Sequence, residues 1–289
     1  TRLIRIPVEK VVVTSGTYDP SIIINLGHAS SIIGTSDSLD DVLLPELRKI
    51  YEEGKVVHVG NWDSLDFEMI LSMKPDVVLA SSYQTTGKLE ELGIPVLVTY
   101  TGENNGLESR MNLFKIIGVI YQEEEKAQAL TDKIQNAFND IQGKLVGVPR
   151  PTVLSALYFN NRILGTSGKY WFAELIGVAG GDYIFKDLDI SGAVELSLEE
   201  FIIKGKNVDI YFAQLLAETN VTNKASLVKQ HGDLGLFKAF TKEGTVAIPS
   251  RLIYQDPANM DKIVYEMAEI FHPNIFPGKP TTYFTVLPD

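Results

Sequence analysis

The 289-residue chain contains no cysteine. Disulfides, thiolate metal sites and cysteine nucleophiles are thereby all excluded, and the absence fits an oxidising exterior where stray thiols are a liability. Cations are scarce as well: 26 basic residues face 37 acidic ones, for a net charge of -11 and a pI near 4.9. Nucleic-acid binding needs clustered Lys and Arg, and no such block occurs, so nucleic acid is not expected as a partner. No apolar run approaches the ~18 residues of a membrane span. A Walker loop, a GxGxxG fingerprint, a GxSxG elbow and an HExxH pair are all missing. "GTSGK" (165–169) lacks phosphate-loop spacing and reads as a turn. His28, His58, His231 and His272 are scattered, and His58 stands within an apolar strand as a structural residue, so no side-chain metal cage is expected. Asn220-Val221-Thr222 is a glycosylation sequon in form only.

Apolar residues make up 45% and charged residues 22%, the balance of a soluble globular protein long enough for two domains. Thr1 is followed at once by strand-like residues without a signal peptide, as expected of a processed or trimmed chain. Short apolar runs alternate with helical periods. "EKVVVTS", "SIIGTS", "KVVHV", "DVVLAS" and "IPVLVT" read as strands with helices between them, which implies βαβ units and a mainly parallel sheet. A long helix is expected over about 121–149, with Ala127, Leu130, Ile134, Ala137, Phe138 and Ile141 at helical spacing, acidic residues at its front and Lys144 near its end. A second α/β pattern follows, through "RPTVLSALYF", "WFAELIGVAGG", "SLEEFIIKGK", "VDIYFA", "GTVAIP" and "MDKIVYEMAEIFHP". The expected organisation is a first lobe at 1–118, a helical span at 119–148 and a second lobe at 149–289. An internal echo supports two similar lobes: Ser64-Leu65, Asp76 and Ala80 repeat the spacing of Ser197-Leu198, Asp209 and Ala213.

In "WDSLDFEMILSMKPDVVLAS" (62–81), Phe67, Ile70 and Leu71 form an apolar stripe, Ser64, Glu68 and Ser72 a polar one, and Pro75 ends the helix. On these residues alone Glu68 is a solvated helix glutamate. In the second half Ser197 and Glu200 have capping-box spacing; Leu198, Phe201 and Ile202 turn inward and Glu199 outward.

The ordered set "FEMILSMKPDVVLASS", "LEELGIPVLV", "TSGKYWFAELIGVAGGDYIFKD", "LSLEEF" and "EIFHPNIFP" resembles the iron-complex and cobalamin family of substrate-binding proteins that serve ABC importers, over nearly the whole chain. That resemblance implies two α/β lobes with mainly parallel sheets, bridged by one long helix, holding ligand in the cleft between them. It implies a dimeric ABC permease as partner, one glutamate per lobe (Glu68 and Glu199, with Glu200 as fallback) docking on basic permease pockets, a monomeric chain outside the cytoplasm, and a lipid anchor. Trp62 precedes Glu68 by six residues, as an aromatic does in cobalamin-binding relatives, but the matching place before Glu199 is Ala193, which disfavours a corrin.

Ligand clefts form from loops at the carboxyl ends of parallel strands. That rule selects Thr17, Tyr18, Trp62 and Tyr83 in the first half, and Tyr158, Arg162, Tyr170, Trp171 and Arg251 in the second. Aromatics offer flat walls with polar tips and arginines cationic forks for anionic oxygens. Each also has a plain structural reading: Tyr158 and Trp171 as core, the arginines as surface cations. Among the metal complexes that the resemblance implies, the expected ligand is a ferric siderophore-like chelate, then haem with a tyrosine axial ligand, then an oxyanion such as molybdate or tungstate near Ser167-Gly168. No resident cofactor and no catalysis are expected. The competing classes are a two-lobed chelatase-like enzyme, which would turn a chelate over, and an adhesive surface protein, which would bind no small molecule.

Overall fold

Short Val/Ile/Leu runs, too short for helices, become the strands of two separate sheets, the central strands buried on both faces. The computed structural model describes residues 3–15, 18–81, 83–99, 106–159, 162–188, 192–214 and 220–289. The chain divides into two units: residues 1–104, 108–134 and 251–260 form the first, and 105–107, 135–250 and 261–289 the second.

The first unit runs β1 (Val11–Val13), α1 (Tyr18–Asn25), β2 (Ile32–Thr35), α2 (Pro45–Glu52), β3 (Val57–His58), the hairpin β4 (Gly60–Asn61) and β5 (Ser64–Leu65), α3 (Phe67–Met73), β6 (Val77–Ala80), α4 (Tyr83–Glu91), β7 (Val96–Val98) and α5 (Leu107–Tyr121). Its sheet has the order β3-β2-β1-β6-β7 and every pairing is parallel. The strand order reverses between β1 and β6, which makes that gap the switch point of a doubly wound sheet. Val12 and Val78 pack with Leu65, Ile70, Leu89 and Ile94 in one buried cluster.

The expected long helix is α6 (Glu124–Lys144), unbroken and carrying the chain from the first unit into the second. It starts three residues later than the periodicity predicts, because Gln122 takes a positive φ of 56° and ends α5 before it. Gly118 permits that corner: a Cβ there would stand 2.6 Å from the Cβ of Ala127.

The second unit runs β8 (Thr152–Phe159), β9 (Arg162–Thr166), α7 (Trp171–Val178), β10 (Asp182–Tyr183), β11 (Ala193–Leu196), α8 (Leu198–Gly205), β12 (Ile210–Gln214), α9 (Lys224–Gln230), β13 (Thr245–Pro249), α10 (Met260–Phe271) and β14 (Phe284–Val286). β8, β12 and β13 are mutually parallel, β9, β11 and β14 are antiparallel additions, and β10 pairs with the start of β8. The order reverses between β8 and β12, giving this sheet its own switch point.

The internal echo has a physical basis. Asp76 accepts the amides of Glu9 and Lys10 at 2.9 and 2.8 Å, just ahead of β1. Asp209 accepts the amide and hydroxyl of Thr152, both at 2.8 Å, at the start of β8. In each unit a carboxylate pins the start of the central strand from its neighbour. Two local expectations need correction. Ser64 belongs to β5, and α3 begins after Asp66, whose carboxylate caps the Met69 amide at 2.9 Å. Leu71 and Leu198 do not face inward: each is 44% exposed, while Ile70 and Phe201 are the buried residues.

Candidate functional site

At the switch point of the first sheet, Ser15 follows β1 and Tyr18 and Asp19 open α1. Asp19 is buried and accepts hydrogen bonds from the Ser15 hydroxyl and, at 2.6 Å, from that of Thr99, which follows β7. Burial drives its pKa up to about 6 against the pull of both hydroxyls and of Arg110. The Arg110 guanidinium, on α5, lies 4.4 Å from the centre of the Tyr18 ring, a cation–π distance. Tyr83 opens α4 after β6, on the other lip of the same switch point; its side chain, like Thr17, lies outside the described residues.

Beyond the ends of β2 and β3 sits a charged cluster. Arg251 donates to Asp41 at 2.9 Å, and Ser38 donates to the same carboxylate at 2.7 Å. The Ser38 hydroxyl first, then Arg251, hold the Asp41 pKa below its ordinary value, whereas burial and then the Asp41 charge raise that of Asp37. His58 donates to the Ser36 carbonyl at 3.2 Å, the structural role expected of it. Arg251, read from sequence with the second half, thus packs in the first unit. The cause is Gln255, 4% exposed, which accepts the Leu43 amide and donates to the Asp41 carbonyl, both at 2.8 Å, and so ties residues 251–260 to 41–43. Trp62 stands at the tip of the β4–β5 hairpin, 63% exposed. Glu68 is exposed in the first turn of α3.

In the second unit Tyr158 ends β8 at the switch point, half-buried, with its ring 4.1 Å from that of His231 and in edge contact with Phe201. Burial lowers the His231 pKa, which favours the neutral imidazole beside the phenol. Arg162 is exposed and grips Glu195 of β11 through two bonds, 3.0 and 2.7 Å. Tyr170 caps α7 and is half-buried, whereas Trp171 is only 1% exposed. The indole meets Phe172 edge-on, and Phe172 meets Phe212 in the same way. Trp171 therefore backs Tyr170 from the core, the plainer of its two readings. The buried Ser167 hydroxyl has no hydrogen-bond partner among the described residues. Glu199 is exposed in the first turn of α8, where the Ser197 hydroxyl accepts the Glu200 amide at 3.1 Å. The Glu200 carboxylate lies 3.6 Å from Lys204, one turn on.

The structure therefore brings Tyr18 and Tyr83 to one switch point and Tyr158 to the other. Asp19, Arg110 and His231 join them without having been selected from sequence. Arg110 is 92 positions from Tyr18, and His231 is 73 from Tyr158, so no local spacing announces either. Asp19 could have been found, as an acidic residue directly after Tyr18 at a predicted strand end. Among the described residues no group of three or more His, Asp or Glu is placed to hold a metal ion, and no helix is long and apolar enough to cross a membrane.

The profile of the periplasmic binding protein family matches residues 11–248. The uncharacterized lipoprotein MJ0878 of Methanocaldococcus jannaschii is 24% identical, over 98% of this chain and 70% of its own length. A vitamin B12-binding protein of Vibrio campbellii is 26% identical, over 68% of this chain and 72% of its own. Among solved structures, a periplasmic haem-binding protein from Pseudomonas aeruginosa superposes with a TM-score of 0.74 at 15% identity, covering 98% of this chain and 99% of that one.

Proposed function

The chain belongs to the periplasmic binding protein family, and we propose that it is the extracytoplasmic substrate-binding component of an ABC importer that carries a metal complex to its permease. A ferric siderophore-like chelate is the first choice of cargo. Residues 1–118 and 149–289 act as the two lobes and 119–148 as their connection. The carrying observation is the position of Tyr18, Tyr83 and Tyr158 at the switch points of two doubly wound sheets, where such sheets bind ligands. Trp62 and Tyr170 add aromatic surface, Trp171 supports Tyr170, and Arg162 and Arg251 add cations for anionic oxygens. Both arginines already hold a carboxylate, so an anionic chelate must compete with Glu195 or Asp41. Glu68 and Glu199 dock on the permease. The protein is monomeric, has no resident cofactor and is not an enzyme. It is held at the membrane by a lipid anchor, in keeping with relatives named as lipoproteins.

Haem is the second reading, favoured by the Tyr158 phenol beside a neutral imidazole. The deciding experiment challenges the protein with ferric siderophores, haem, corrinoids and molybdate under native mass spectrometry and absorption spectroscopy. A stoichiometric, unaltered iron chelate is expected, and its turnover would point to an enzyme instead. Arg251→Ala should weaken an anionic chelate several-fold. Unchanged affinity removes Arg251 from the site.

A further inference from the structure

Two glutamates stand one turn apart on α10, and the fold uses only one of them. Glu266 accepts the amides of Thr282, Tyr283 and Phe284 at 3.0, 2.8 and 3.2 Å, and so ties the start of β14 to the helix. Glu269 is half-buried and has no hydrogen bond or ion pair among the described residues. Its carboxylate lies against Gly278, where the Cβ of any other residue would overlap Oε1 and displace it. Burial, then the charge of Glu266, raises the Glu269 pKa, as befits a carboxylate that lacks a cation.

Glu269 lines a groove of about 520 Å³ between the end of α10, the loop at 278–281 and β14. Ile270, Pro273 and Phe284 give it apolar walls, and Thr245 and Thr281 bring hydroxyls. A second hollow of about 430 Å³ shares Glu269, Lys279 and Thr281 with the first. Lys279 is exposed and forms no ion pair with either glutamate among the described residues. Thr245 opens β13, which runs parallel to β12 as β8 does, so the groove reaches the amino end of the sheet, whereas Tyr158 stands near the carboxyl end of β8. We propose that this groove binds a small organic ammonium ion, with its charge on Glu269, its remaining N–H groups on the threonine hydroxyls and its hydrocarbon chain along Ile270, Pro273 and Phe284. Keeping a half-buried carboxylate charged without a donor costs free energy, and an alkylammonium supplies charge, donors and apolar area together. The site is separate from that of the cargo and stands whether or not the import reading does.

The probe is n-hexylamine, protonated at pH ~7.5, titrated into the full ¹⁵N-labelled chain and followed by NMR at the amides of 278–286. Saturable shifts centred on those amides are expected. n-Hexanol should bind about tenfold more weakly, the worth of one charge-assisted hydrogen bond, and hexanoate should not bind. Glu269→Gln should lower the affinity for hexylamine to that for hexanol, and unchanged peaks elsewhere in its spectrum show that the variant folds. Hexylamine binding to Glu269→Gln as tightly as to the parent, or hexanol binding the parent as tightly as the amine, overturns the proposal. So does a titration in which the amides of 278–286 do not move.

Discussion

Replacing Asp19 with asparagine isolates the cost of keeping a buried charge at the first switch point. The carboxyl is 1% exposed and its pKa is raised from an ordinary 3.8 to about 6, chiefly by burial. At ~1.4 kcal/mol per pH unit that displacement corresponds to about 3 kcal/mol. The folded state binds the proton more tightly than the unfolded one, so this group favours folding below pH ~4 and loses that contribution as pH rises to about 6. Asparagine mimics the protonated form, and the Ser15 and Thr99 hydroxyls can reorient to its amide. Asp19→Asn should therefore match the parent at pH ~3.5 and exceed it by about 3 kcal/mol at pH ~8. The assay is urea unfolding of both proteins at half-unit pH steps, read as the difference between the two. A difference that stays flat across that range would refute burial as the origin of the effect.

Two further substitutions test the second unit. Lys224 is 6% exposed, and its ammonium donates to the carbonyls of Thr241 and Gly244 and to the Asp289 carboxylate at 2.8, 2.9 and 2.8 Å. Lys224→Met keeps the stem but orphans two carbonyls, and should cost roughly 2 to 3 kcal/mol in chemical denaturation. Gly180 has a φ of +89°, and a Cβ there would lie 2.5 Å from Leu145 and 2.6 Å from His272. Gly180→Ala should destabilise by roughly 2 to 4 kcal/mol in the same assay.

Short apolar runs, Pro75 after α3 and the acidic front of α6 announce their elements because strand, stop and dipole signals are local. The same signals misplace the start of α6 by three residues, since the break at Gln122 depends on α5 packing tightly against the new helix at Gly118. They also turn Leu71 and Leu198 inward, because helical periodicity marks an apolar stripe but cannot say how much of it the sheet is wide enough to cover. Of the candidate site, Tyr18, Tyr83 and Tyr158 are legible as residues that follow strands. The partners of Tyr18 and Tyr158, Arg110 and His231, are not.

By itself the sequence determined the alternation of strands and helices, the lack of thiol chemistry and the placing of Glu68 and Glu199 near helix starts, since each is written in neighbouring residues or in composition. Only the tertiary structure decided that Arg251 belongs with Asp41, that Trp171 is interior, and that the Asp19 carboxylate is buried against Ser15 and Thr99. Those facts depend on which distant strands lie side by side, and side-chain contacts across a sheet leave no period in the chain that folds to make them.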